Sequence, residues 1–192
     1  MIRVLIGMLA ACLVCTGCGK KVSEKIAEKM IEKSMEKDGV KADVKISGGK
    51  MSINARDKDG KKMDINVSSD KVTVNSTDGT ATYAAGGSAK VPDNFPKDIY
   101  VYSGASVLST MTLPEGQNLQ LQTRDSSEKV MKAYKEKMNA NGWKEETTYT
   151  TDQQSVVSYK KDNRTANIIV VAADGNTHIN LTAVEEKKEK VE

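Results

Sequence analysis

The alternation of apolar and polar residues predicts a group of short β-strands in the first half of the chain. Residues 50–54, 62–66 and 71–75 each alternate with the period of a half-buried strand. Val44 and Ile46 indicate one more strand before them, and residues 80–84 one after them. We therefore expect a β-meander with one apolar face, formed by Met51, Ile53, Met63, Ile65, Val67, Val72 and Val74.

The segment before this meander has the spacing of an amphipathic helix. Its apolar residues recur every three or four positions, and alternating Lys and Glu residues form i,i+3 pairs. Asp38-Gly39 ends the pattern. Two interpretations remain: a spacer or oligomerising helix next to a membrane, or a helix packed on the strands or exposed. The apolar residues are Val22, Ile26 and Met30, and Ala27, Ile31 and Met35.

The second half of the chain alternates strand and helix patterns in a different order. Two strands are predicted at 107–113 and 119–123, followed by a helix that Asp125 caps, with Glu128 three residues on. Asn141-Gly142 ends this helix, and Trp143 folds back on its last turn. Further strands are predicted at 143–150, 155–160, 165–172 and 178–184. The buried stripe of the helix is Val130, Ala133, Tyr134 and Met138.

These patterns predict an α+β protein. An N-terminal amphipathic helix and a short β-meander come first, and a ββαββββ domain follows, with a mainly antiparallel sheet and one packed helix. Residues 84–98 contain two prolines and a Gly pair and mark the boundary. The predicted division is signal peptide 1–17, lipidated cysteine and helix 18–38, meander 39–85, Gly/Pro linker 86–98, α+β domain 99–184 and charged tail 185–192.

The N-terminus has the pattern of an export signal. Arg3 precedes an apolar run from Val4 to Val14, which is shorter than the roughly 20 residues of a membrane-spanning helix. The small residues Thr16 and Gly17 then precede Cys18, as in bacterial lipoproteins, although Cys15 stands where Leu is usual. We expect Cys18 to be lipidated after cleavage. A plain signal peptide or an uncleaved anchor is the alternative.

Composition narrows the candidate chemistry. The formal net charge of +3 argues against a nucleic-acid-binding surface. The spacing of Cys12, Cys15 and Cys18 imitates an iron–sulfur ligand run, but two of the three lie in the leader. The only histidine, His178, alternates opposite an apolar strand face and is expected at the surface. We therefore predict no catalytic residues, no metal site and no cofactor.

The aromatic residues Tyr100, Tyr102 and Trp143 have two interpretations. They either fill the core beneath the helix or form a weak binding surface for a peptide or sugar. Residues 94–105, N-F-P-K-D-I-Y-V-Y-S-G-A, resemble a segment of exported bacterial lipoproteins, "F-P-x-D-[VI]-x-[VL]-Y-x-G-A". In that family a "Y-x-x-x-[LM]" helix and "G-W" follow, here Tyr134, Met138 and Gly142-Trp143. The resemblance covers about half the chain and implies a shared fold and an envelope location.

We therefore expect a lipid-anchored protein of the bacterial cell envelope that acts as a non-enzymatic binding or assembly module. Its partners would be the membrane, through Cys18, and another envelope protein. Gly19 after the lipidated cysteine favours the outer membrane where the organism has one. Two alternatives remain: an accessory enzyme that acts on peptidoglycan or another glycan with carboxylates, and a structural stalk.

Overall fold

The computed structural model describes residues 22–186, and for Val22 it describes the backbone. Cys18 and the predicted signal peptide lie outside this range, as does most of the predicted charged tail. The helices are α1 (Val22–Lys37) and α2 (Ser127–Ala140), with a short 3₁₀ turn at Gly86–Ser88. The strands are β1 (Lys41–Ser47), β2 (Lys50–Arg56), β3 (Lys62–Val67), β4 (Lys71–Ser76), β5 (Gly79–Ala85), β6 (Ser106–Leu113), β7 (Gly116–Thr123), β8 (Lys144–Thr150), β9 (Gln154–Lys161), β10 (Arg164–Ala173) and β11 (Asn176–Glu185).

All of these strands belong to one antiparallel sheet. Its order is β1-β2-β3-β4-β5-β6-β7-β11-β10-β9-β8, so β1 and β8 are its edges. The first seven strands lie side by side in the order in which they occur in the chain, and each pairs with the next in antiparallel orientation. After β7 the chain crosses through α2 to the far edge and returns strand by strand until β11 pairs with β7.

The predicted fold class is wrong in its division of the sheet. The chain does not form a β-meander followed by a separate ββαββββ domain, because the sheet of 11 strands continues through both parts. The join is the pairing of β5 with β6, which matches Thr82 with Thr112 and Ala85 with Ser109. The Gly/Pro segment between these strands therefore returns the chain to a neighbouring strand of the same sheet.

The buried apolar residues lie on one face of the sheet in the first strands and on the other face in the later strands. Directly paired residues point to the same side of a sheet, so the strand registers follow each side from edge to edge. We call the side of Leu121 and Ile168 the back face, and the side of Ile65 and Asn180 the front face. In β1–β4 the apolar residues lie on the front face, whereas in β7 and β9–β11 the core residues lie on the back face.

The back face is covered by α2 and by the segment of residues 89–105. Helix α2 contributes its buried residues Val130, Tyr134 and Met138. The segment contributes Phe95, Ile99 and Tyr102, although it contains neither helix nor strand. These side chains pack against Leu119, Leu121, Val157, Tyr159, Ala166, Ile168, Val170, Ile179 and Leu181 of the strands. Phe95 belongs to residues 86–98, the predicted linker, so part of that predicted linker contributes to the larger core.

Helix α2 has a defined cap at each end. Ser126 is the N-cap, because its hydroxyl accepts a hydrogen bond from the Lys129 N–H at 3.3 Å. The prediction that Asp125 is the cap is therefore wrong by one residue. At the other end, the Trp143 N–H donates to the Met138 carbonyl at 3.0 Å and Gly142 has a φ of 81°, which confirms the predicted Schellman-type ending.

Helix α1 lies along the edge strand β1. Its Ile31 and Met35 pack against the smaller apolar cluster of Val44, Ile53, Ala55 and Ile65. The two carboxylates of Glu28 and Glu32 bind the outward backbone N–H groups of β1. Helix α1 therefore covers an edge that would otherwise be open to pairing with another strand.

Candidate functional site

The front face of β7, β11, β10 and β9 is open, and it carries no Lys, Arg, Asp or Glu except Lys160 near the end of β9. Because 29% of the chain is charged, a surface region of this breadth would ordinarily include several charges. The core residues of α2 pack on the opposite, back face, and those of α1 pack on the first strands. We call it the uncharged patch; it consists of Asn118, Gln120, Gln122, Gln154, Val156, Ser158, Asn167, Ile169, Val171, His178, Asn180 and Thr182.

The centre of the uncharged patch is a linked set of polar side chains. The Asn118 Nδ2 donates hydrogen bonds to Asn180 Oδ1 and to Thr182 Oγ1, both at 2.8 Å. The Thr182 hydroxyl donates to the same Asn180 oxygen at 3.3 Å. These contacts fix the amide orientations in advance, so less side-chain freedom is lost when a ligand binds.

One end of the uncharged patch is apolar. Asn180 is paired with Ile169, Ile169 with Val156 and Val156 with Tyr149 of the edge strand β8. The Tyr149 side chain is 67% exposed. An exposed tyrosine beside aliphatic side chains offers apolar contact as well as a hydroxyl for hydrogen bonding. The patch can therefore bind a molecule through both hydrogen bonds and apolar contact.

On the back face, Asp98 joins distant parts of the chain. Its two carboxylate oxygens accept hydrogen bonds from Arg164 Nη1 and Nη2 at 2.8 and 2.7 Å, and Lys161 Nζ donates to Oδ2 at 2.8 Å. Its backbone carbonyl accepts from the Trp143 indole N–H at 2.9 Å and from Asn141 Nδ2 at 3.0 Å. The Arg164 guanidinium also lies over the Trp143 ring, 5.1 Å from its centroid.

The Arg164 guanidinium, with Lys161, holds the pKa of Asp98 well below the usual value for an aspartate. Asp98 is therefore ionised at neutral pH and fully engaged by its partners. The pKa values of Asp125 and Asp70 are also lowered, by hydrogen bonds from Lys129 and from Ser88 respectively. The pKa of each of these three carboxyl groups is therefore shifted downward, which favours the ionised form.

The three aromatic candidates are not equivalent. Trp143 and Tyr102 are buried, so neither presents a binding surface. Burial and a 2.7 Å hydrogen bond to Asp125 raise the pKa of the Tyr102 hydroxyl to about 12. Tyr100 is half-buried and packs edge-on against Tyr134 at 5.4 Å between ring centroids. Of the three, only Tyr100 retains a partly accessible side chain.

Two shallow open clefts lie outside the uncharged patch. One, of about 390 Å³, is formed by the segment of residues 89–105 and includes Tyr100 and Asn141. The other, of about 640 Å³, lies on the back face of the first strands and contains Lys45, Lys50 and Lys71. Both are open to solvent, and neither brings together an acid and a base in a catalytic arrangement.

The remaining site predictions concern single residues. The predicted lipidation site, Cys18, lies outside the described residues. His178 lies in the uncharged patch, paired with Gln122 and Val171 and half-buried. Between residues 22 and 186, no three His, Cys, Asp or Glu side chains are grouped so that they could hold a metal ion. In the same range, no helix is long and apolar enough to cross a membrane.

Sequence reasoning missed the uncharged patch and the Asp98 network. The patch has a signal in the sequence: the outward positions of 118–122 and 178–182 read N-Q-Q and H-N-T between buried residues. The register needed to place these positions side by side was not available from the sequence. The partners of Asp98 had no such signal, because Lys161 and Arg164 are more than 60 residues away in the chain.

Comparison with known proteins gives one match. A family described as START domain-like matches residues 106–177, which run from β6 into β11 and contain α2. No curated protein and no solved structure matches the chain. The matched segment is less than half of the chain, so it is a likeness to that family; it includes most of the uncharged patch.

Proposed function

We propose that this protein is a lipid-anchored cell-envelope protein that binds an uncharged, hydrogen-bonding ligand or partner surface without catalysing a reaction. The uncharged patch is the observation that carries this proposal. A charged partner would leave its charges desolvated against neutral side chains, which is costly, whereas an uncharged partner would exchange water hydrogen bonds for those of the patch. The START domain-like match, which covers β7, β9 and β10 but only the first two residues of β11, also favours ligand binding.

The alternative of a carboxylate-dependent glycan hydrolase is less well supported. Such enzymes need one carboxylic acid whose pKa is raised so that it remains protonated as the general acid. In the described part of the chain, the carboxyl groups with shifted pKa values are ionised and bound to Arg, Lys, Tyr or Ser side chains. Carboxylates bound in this way stabilise the fold and do not supply a general acid.

The binding part of the proposal can be tested in cells by photo-crosslinking. A photoreactive amino acid replaces Gln120, an exposed residue of the uncharged patch, and in a second strain replaces Glu136, an exposed residue on the outer side of α2. We expect a defined adduct from position 120 and none from position 136. Equal adducts at both positions, or none at position 120, would contradict the assignment of the patch.

The anchor is tested separately by the mass of the mature protein. We expect an N-terminus at Cys18 that carries acyl chains through its sulfur. At about 0.8 kcal/mol per buried methylene, two or more chains hold a protein on a membrane essentially permanently. A mature protein with an unmodified Cys18, or one that begins further along the chain, would show that the lipoprotein assignment is wrong.

A further inference from the structure

Two glutamates of helix α1 face the sheet and accept hydrogen bonds from its edge strand β1. Glu32 Oε1 accepts a hydrogen bond from the Val44 N–H at 3.0 Å, and Glu28 Oε1 accepts one from the Ile46 N–H at 2.7 Å. Four residues of helix rise about 6 Å and two residues of strand about 6.6 Å, so successive carboxylates match successive outward N–H groups. The side of α1 that carries Glu28 and Glu32 therefore packs against β1.

The opposite side of α1 is apolar and basic. Ile26 and Met30 are 54% and 68% exposed, although large apolar side chains on a surface helix usually face a core. At 100° per residue, Lys29, Lys33 and Lys37 fall within the same arc of about 100° as these two residues. All three lysines are exposed, and no glutamate falls within the arc. Lysines beside exposed apolar residues are typical of a helix that lies in a membrane interface.

The position of α1 in the chain agrees with this surface chemistry. Helix α1 begins at Val22, and only Gly19, Lys20 and Lys21 separate it from Cys18. Each lysine near an anionic membrane surface contributes about 1 kcal/mol of attraction. A helix this close to an acylated residue would remain within reach of the lipid headgroups.

We propose that the outer side of α1 docks on a membrane surface that contains anionic lipids. The location of this membrane rests on the proposed anchor at Cys18, but the affinity of the helix for lipid does not. Because α1 lies along β1, the docked sheet stands on its β1 edge with its strands roughly parallel to the membrane. The order of strands then places β7, the first strand of the uncharged patch, six strand spacings from β1, about 29 Å away.

Flotation with lipid vesicles tests this proposal without an acyl chain. The protein from residue 18 onward, carrying Cys18→Ser, contains every described residue and is mixed with vesicles of phosphatidylcholine alone or with about 30% phosphatidylglycerol. We expect binding to the anionic vesicles that weakens as salt is raised. The double variant Ile26→Glu, Met30→Glu should bind at least about tenfold more weakly, because it loses the apolar contact and gains repulsion.

Two further variants show whether the lost binding is specific to α1. Tyr83→Glu, Leu113→Glu adds the same charge at exposed residues of the sheet and should bind like the parent. Lys29→Gln, Lys33→Gln keeps good helix formers and should weaken binding to anionic vesicles without changing binding to neutral ones. Equal loss in the Tyr83, Leu113 variant, or parent binding no stronger to anionic than to neutral vesicles, would overturn the proposal. An unmodified Cys18 in the native protein would overturn the anchor alone.

Discussion

At the scale of single residues, Asp98 connects two segments that lie far apart in the chain, F-P-K-D and G-W. The aspartate of F-P-K-D binds the tryptophan of G-W through its backbone carbonyl. Its side chain binds Lys161 and Arg164 at the ends of the β9–β10 turn. One residue thus fastens the segment of residues 89–105 to the end of α2 and to the sheet.

Replacing this carboxylate should be costly. Asp98→Asn removes the negative charge that three hydrogen bonds from Arg164 and Lys161 require. We expect the free energy of unfolding to fall by about 2–4 kcal/mol, because two half-buried cations lose their partner. Denaturant unfolding measures this. Asp152→Asn, at an exposed acid in the β8–β9 turn, is the control and should change stability by less than about 0.5 kcal/mol.

The same residue predicts how stability depends on pH. The pKa of Asp98 is lower in the folded protein than the value of about 3.9 expected in the unfolded chain. Its contribution is therefore fully present above pH 4 and is lost as the pH falls toward the folded-state pKa. We expect the parent to lose stability more steeply than Asp98→Asn between about pH 4 and pH 2. Parallel curves for the two proteins would contradict this account.

At the scale of elements, β7 and β11 approach each other closely at Gly116. A Cβ atom at this position would lie 2.5 Å from the carbonyl oxygen of Ala183, which is backbone and cannot move aside easily. Gly116→Ala should lower the free energy of unfolding by about 1–3 kcal/mol. Gly87→Ala is the matched control, because no atom lies within 4 Å of its added Cβ. Similar thermal unfolding of the two variants would argue against this close approach.

The contact between α1 and β1 predicts which amide protons are protected. Glu28→Ala with Glu32→Ala removes the two acceptors of the β1 edge and should speed hydrogen exchange at Val44 and Ile46 by about tenfold. NMR measures exchange at each amide. Lys33→Ala, on the outer side of α1, should leave both rates unchanged. Unaltered exchange in the double variant would mean that the carboxylates do not hold this edge.

The elements also show how far the sequence alone could be used. Alternation located the strands, because it reports which side of each strand is buried. The pairing of β5 with β6 was missed, since 20 residues separate them and the Gly and Pro residues between them suggested a boundary. Local composition marks a turn in the chain, but it does not show whether the chain returns to the same sheet.

At the scale of the whole molecule, one sheet carries two cores on opposite faces. The first strands bury their front face under α1, and the later strands bury their back face under α2 and residues 89–105. The front face of the later strands is consequently left open. The alternation in residues 118–122 and 178–182 correctly gives the buried side, but only the register shows that the outward amides form one surface.

The central claim is that the uncharged patch is occupied in the cell, and cysteine labelling tests it most directly. The chain has three cysteines, all at or before Cys18. Labelling of an introduced cysteine can therefore be compared with labelling of the parent protein, which gives the background. Gln120→Cys lies in the patch and Glu136→Cys on the outer side of α2. We predict that a membrane-impermeant maleimide labels both in the purified protein, but labels only position 136 in membranes isolated from cells, where the proposed anchor would hold the protein. Equal labelling of both positions in these membranes would contradict the claim.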